Sequence, residues 1–170
     1  MKKIFILFIY LFFISCSSVE KQTNFILCPE ILYSKNHRVY ISSDEENLNV
    51  DNISYRAEIN NAEAKCILEN QNIEIKLSML FVIEPKKAKK SEFMIPYFVA
   101  LLDDKKNVLH IEYYKKVGSL DKNIENNELI ETELIDTKYI SLSKDFVANQ
   151  KLHQLILGFM IDKNKLKILN

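Results

Sequence analysis

The residue types best suited to nucleophilic or metal chemistry are few: cysteines at Cys16, Cys28 and Cys66, and histidines at His37, His110 and His153. A thiolate is the strongest nucleophile of this set. None of the histidines has a Cys, Asp or His partner at HxxxH or CxxC spacing, so the three or four ligands of a zinc centre are not assembled and no metal is expected. His110 shares a strand face with Val108, Glu112 and Tyr114 and reads as a surface or edge histidine. Asp44, Glu45, Glu46, Asp51 and Asn52 are an acidic cluster that could attract calcium, but the alternating acidic spacing and the turn glycine of a calcium loop are missing. A solvated loop is the reading preferred. Lys86, Lys87, Lys89 and Lys90 follow Pro85. Such a loop could touch anionic headgroups at about 1 kcal/mol per charge, though it reads first as a plain exposed loop. With no GxSxG, no locally supported Ser/His/Asp set and no paired-carboxylate motif, neither catalysis nor a cofactor is expected.

Cys16 differs from the other two cysteines in what precedes it. Lys2 and Lys3 give a positive start, and residues 4–14 are an uncharged apolar run, the length of a signal-peptide core and too short to span a bilayer. Ser15 and Cys16 follow at once. The stretch Phe13-Ile14-Ser15-Cys16 resembles the lipobox of bacterial lipoproteins, with Phe13 where leucine is usual. The resemblance implies that the Cys16 thiolate accepts a diacylglyceryl group, that the chain is cut before it, and that the new amine is acylated, with palmitate among the chains. One acyl chain binds a bilayer only marginally, whereas two or more hold firmly. By the sorting pattern of such lipoproteins, Ser17 in place of aspartate implies the outer membrane, facing the periplasm. Alternatives are a plain secretory signal or an uncleaved anchor. Residues 17–27 would then be a polar tether reaching at most about 35–40 Å.

Export would place Cys28 and Cys66 where disulfides persist. The expected outcome is a bond between them, closing a loop of about 39 residues and contributing roughly 4 kcal/mol on the chain-entropy argument. Two buried free thiols, or a pair of metal ligands, are the alternatives.

Composition narrows the function classes. Basic and acidic residues balance at 23 each, and loss of Lys2 and Lys3 would leave 21 basic groups against 23 acidic, a net of −2. No nucleic-acid partner is expected at that charge. Only two glycines and three prolines are present, little material for phosphate-cradling loops. A hydrophobic content of 48% is ample for one buried core.

The elements that must carry these residues read as strands. Ile73, Ile75, Leu77, Met79, Phe81 and Ile83 recur at every second position, with polar residues between them at first, while Leu80 and Val82 point to an end covered on both faces. Residues 96–102 and the alternating Leu109, Ile111 and Tyr113 form a hairpin around a five-residue loop at 103–107. Residues 53–59 alternate likewise, and Ala62, Ala64, Cys66 and Leu68 continue the pattern, putting Cys66 inward. Weaker strands fall at 39–42, 129–142 with a break, and 152–161. Residues 117–128 read as a loop, 143–150 as one helical turn, and Asp162 as the cap of a short terminal helix through Leu169. Seven or eight short strands without long helices favour an all-β antiparallel sandwich, immunoglobulin-like or fibronectin-like. The domain plan is a signal peptide over 1–15, a lipidated tether over 16–27, the sandwich over 28–162, and a tail or short helix over 163–170.

Several pieces together, Cys28-Pro29, residues 53–59, Cys66, residues 96–100 and Leu157-Gly158-Phe159, resemble a group of uncharacterised small proteobacterial lipoproteins, over roughly Cys16 to the end. That resemblance implies an envelope β-domain with the same two further cysteines and no attached activity. The resulting expectation is a non-catalytic, membrane-anchored envelope lipoprotein that binds an envelope protein or cell-wall component. The alternative is a periplasmic carrier for a small apolar ligand, which would need an enclosed space of about 300 Å³ or more.

Overall fold

The computed structural model describes residues 24–25, 27–150 and 152–169. Alternating apolar positions cannot hide their inward side chains in one layer, so the strands close into two sheets packed face to face. In chain order they are β1 (Asn24–Phe25), β2 (Glu30–Tyr33), β3 (Val39–Ser42), β4 (Tyr55–Glu69), β5 (Asn72–Pro85), β6 (Glu92–Asp103), β7 (Val108–Ser119), β8 (Thr132–Ser143) and β9 (Leu152–Phe159). Helix α1 (Lys144–Gln150) precedes β9, and α2 (Lys163–Leu169) ends the described chain. The first sheet runs β1-β4-β5-β8 with β3 also on β4, and the second runs β2-β9-β6-β7. All pairs are antiparallel except β2 with β9.

The expected sandwich is therefore what forms. Its neighbours also follow the immunoglobulin pattern: β4-β5-β8 stand as strands D, E and B would, and β9-β6-β7 as C, F and G. Chain order is cyclically shifted relative to that pattern, and among the described residues no strand occupies the position of strand A beside β8.

Local chemistry explains the boundaries. Asn60 and Asn61 do not end a strand. They sit at a register shift between Ile59 and Asn61, so β4 continues as one bulged strand with Cys66 still inward. The β4–β5 connection is a two-residue turn with positive φ at both Asn70 and Gln71, the type I′ geometry that suits the twist of the flanking strands. Helix α2 begins where Asp162 Oδ1 accepts hydrogen bonds from the Asn164 and Lys165 backbone amides at 2.9 Å, as its capping role predicts. Residues 117–119, expected in a loop, extend β7, because their alternation continues opposite residues 92–94 of β6. The strand expected from 129 begins at Thr132 and runs unbroken. Leu80 and Val82 are only half-buried, so the outer face of β5 is not covered there as expected.

Inward positions fill the space between the sheets. Phe81, Tyr97 and Phe159 are fully buried, with ring centroids 5.2 Å apart for Phe81 and Tyr97 and 5.9 Å for Phe81 and Phe159. Tyr55 of the first sheet donates its hydroxyl to the Met94 carbonyl of the second at 2.9 Å. Packing is close enough that a Cβ on Gly118 would stand 2.6 Å from Phe93 Cζ.

Candidate functional site

The sandwich is closed differently along its two sides. On one side the predicted disulfide joins Cys28, just before β2, to Cys66 on β4, with Cα atoms 5.4 Å apart. On the other side the edge strands β7 and β8 lie over one another and are joined by charges. Register places Tyr114 opposite Tyr97, and Asp136 and Lys138 opposite Met79 and Leu77, so all of these point inward.

Asp136 is the centre of this seam. Tyr97 donates its hydroxyl to Asp136 Oδ2 at 2.6 Å, Lys138 Nζ lies 3.3 Å from Oδ2, and Lys116 Nζ lies 3.5 Å from Oδ1. Burial alone would raise the Asp136 pKa, but the Tyr97 hydroxyl and the two ammonium groups outweigh it and hold the carboxyl below its usual range. The Tyr97 and Tyr114 rings stack at 5.3 Å, and Lys138 Nζ sits 5.0 Å from the centre of the Tyr114 ring. Tyr114 donates its hydroxyl to Glu112, which also meets His110 Nε2 at 3.2 Å. Burial, then the neighbouring carboxylates, push both tyrosine pKa values far up.

These shifts say what the seam can do. A general acid or base works best with a pKa near the operating pH. Tyr55 is raised by burial, and Asp103 is lowered by its hydrogen bond from Asn107. Like Tyr97, Tyr114 and Asp136, both move away from neutrality. The seam is thus a fixed array of two carboxylates, two lysines and protonated phenols, suited to holding strands together and presenting charge.

The acidic and basic loops, read separately from sequence, meet in space. Asp44 Oδ2 accepts the Lys89 backbone amide at 3.0 Å, and Lys89 Nζ lies 3.6 Å from Glu45 Oε1. Lys87 Nζ donates to the Asp51 carbonyl, while Asn52 reaches Glu45 Oε2 at 3.1 Å. Each loop therefore spends charge on the other, leaving less for calcium or headgroups. His37 is occupied structurally, with Nδ1 2.8 Å from the Phe159 carbonyl oxygen, and His153 is exposed on β9. Among the described residues no three His, Cys, Asp or Glu side chains gather as metal ligands would. Cys16 and Ser17 lie outside the described residues.

A groove of about 640 Å³ runs over Tyr40, Tyr55 and Phe93, with Asp44, Lys90 and Glu92 at its rim. Those three rings are buried to within 6% exposure, so they form a floor and offer no face for stacking. No known protein family, curated protein or solved structure matches this chain.

Asp136, Lys138 and Lys116 were not singled out by sequence. The available signal was alternation: Asp136 and Lys138 fall in phase with Leu134 and Ile140, two charges where a core face would be apolar.

Proposed function

We propose that this chain is a lipid-tethered, non-catalytic module of the cell envelope that binds an envelope protein or a cell-wall component, anchored through Cys16 in the outer membrane. The observation that carries the reading is the order of the first sixteen residues: Lys2-Lys3, the apolar run 4–14, then Ser15-Cys16. The Cys28 to Cys66 bond supports it, because paired structural cysteines are a habit of exported domains. Among the described residues, the shifts at Tyr55, Tyr97, Asp103, Tyr114 and Asp136 all lead away from neutrality, which favours binding over acid–base chemistry. A carrier with its ligand between the sheets is less well supported, since Phe81, Tyr97 and Phe159 occupy that space.

Metabolic labelling with a clickable palmitate analogue tests the anchor. Wild-type chain should carry the label and fractionate with membranes, and Cys16→Ser should lose both properties. An unlabelled wild-type chain would sink the proposal. In-cell crosslinking with mass spectrometry should then recover one reproducible envelope partner, absent with an unrelated lipoprotein.

A further inference from the structure

Among the described residues, both strands of the charged seam, β7 and β8, are sheet edges, each 12 residues long with no strand paired on its outer side. Long open edges invite pairing unless they are blunted. Six of the large apolar side chains left exposed among the described residues lie on these two strands: Val108, Ile111, Tyr113, Val117, Ile135 and Tyr139. An exposed apolar edge needs an occupant.

We propose that the occupant is a second copy of this chain, paired antiparallel along both edges about one two-fold axis that crosses the sandwich at Tyr114 and Thr137. Each strand is self-complementary about its own centre. On β7, antiparallel pairing about Tyr114 sets Glu112 of one copy opposite Lys116 of the other, Ile111 opposite Val117, and Tyr113 opposite Lys115. On β8, pairing about Thr137 sets Asp136 opposite Lys138 and Ile135 opposite Tyr139. Opposite charges and aromatic or β-branched residues are the favourable directly opposed pairs of antiparallel sheets.

The two centres also coincide across the sandwich. Lys138, next to Thr137, places Nζ 5.0 Å from the Tyr114 ring, and Lys116 on β7 reaches Asp136, the other neighbour of Thr137. A single axis perpendicular to the sheets therefore serves both strands, and a closed two-fold dimer results in which neither of these two edges is left to propagate. Inward charges on an edge usually repel incoming strands. Here they repel strands of arbitrary sequence and match only the symmetric copy, which is how such pairs give specificity.

The inference needs no lipid anchor and stands apart from the proposed function. The full chain carrying Thr137→Cys, expressed in cells and given a mild oxidant pulse, should form a disulfide-linked dimer on a non-reducing gel. Thr137 faces its own counterpart, with Cβ atoms about 4.5–5.5 Å apart. Glu133→Cys should give none, since eight positions separate it from its counterpart, about 27 Å at the rise of a strand. Adding Ser141→Cys to Glu133→Cys should restore the crosslink. No dimer from Thr137→Cys, or as much from Glu133→Cys alone, overturns the proposal. Independently, the wild-type chain in mild detergent should show twice the protein mass of the Val117→Lys, Ile135→Lys variant, whose changes lie on exposed positions. A monomeric wild type overturns it as well.

Discussion

Asp136 is nearly buried, yet it keeps its charge because three donors converge on it. Truncating a hydrogen-bonded buried charge costs about 1.5–3 kcal/mol, as its partners lose their acceptor. Asp136→Asn should therefore lower stability by about that much at neutral pH. The depressed carboxyl pKa adds a pH signature. A carboxylate whose folded pKa lies below its unfolded value, near 3.9, contributes stability above that value and loses it as pH falls through the folded one. Chemical denaturation from pH 6 down to pH 2 should show wild type losing stability along this limb while Asp136→Asn declines less. Parallel curves would mean that Asp136 is not ionised in the seam. The sequence did not single out this residue, because the donors that make it tolerable come from β6, β7 and β8 and meet only once the sheets pack.

At the scale of elements, the strongly alternating segments were legible because period-two burial is a local property. Residues 73–83 and the β6–β7 hairpin follow from it, and the short helix α2 follows from another local signal, its Asp162 cap. Less legible were the features set by partners. Asn60-Asn61 resembles a turn until β5 is seen to carry β4 past it as a bulge, and residues 117–119 join β7 only because β6 extends opposite them. The tight β4–β5 turn is made without glycine, with Asn70 at φ 48° and Gln71 at φ 71°. Asn tolerates this region; a longer side chain such as Gln71 is strained there by about 1–2 kcal/mol, partly offset by the greater freedom of an unfolded glycine. Gln71→Gly should thus raise stability by about 0.5–1 kcal/mol. Equilibrium urea unfolding measures it, and a midpoint that falls would show that the Gln71 side chain makes contacts outweighing its strain.

For the whole molecule, the two sides of the sandwich divide the work. The disulfide side fixes β2 to β4 covalently and contributes roughly 4 kcal/mol by limiting the unfolded chain. The charged side holds β7 over β8 and, among the described residues, leaves the outer edges of these two strands open. Between them lies a core in which Leu77, Met79, Ile95, Leu155 and Leu157 are at 0% exposure. A carrier of apolar ligands would need that space empty or able to empty, and emptying it means displacing large rings from close packing at several kcal/mol. Saturating ligand at 100 times its Kd would stabilise a true carrier by about 2.7 kcal/mol, and for a chain of this size each kcal/mol raises Tm by about 2–4 °C. Thermal unfolding with a panel of fatty acids and an apolar dye should therefore show no rise in Tm. An increase approaching those magnitudes with any one of them would move the functional reading from surface binding to interior carriage, and would require the sheets to part around Phe81, Tyr97 and Phe159.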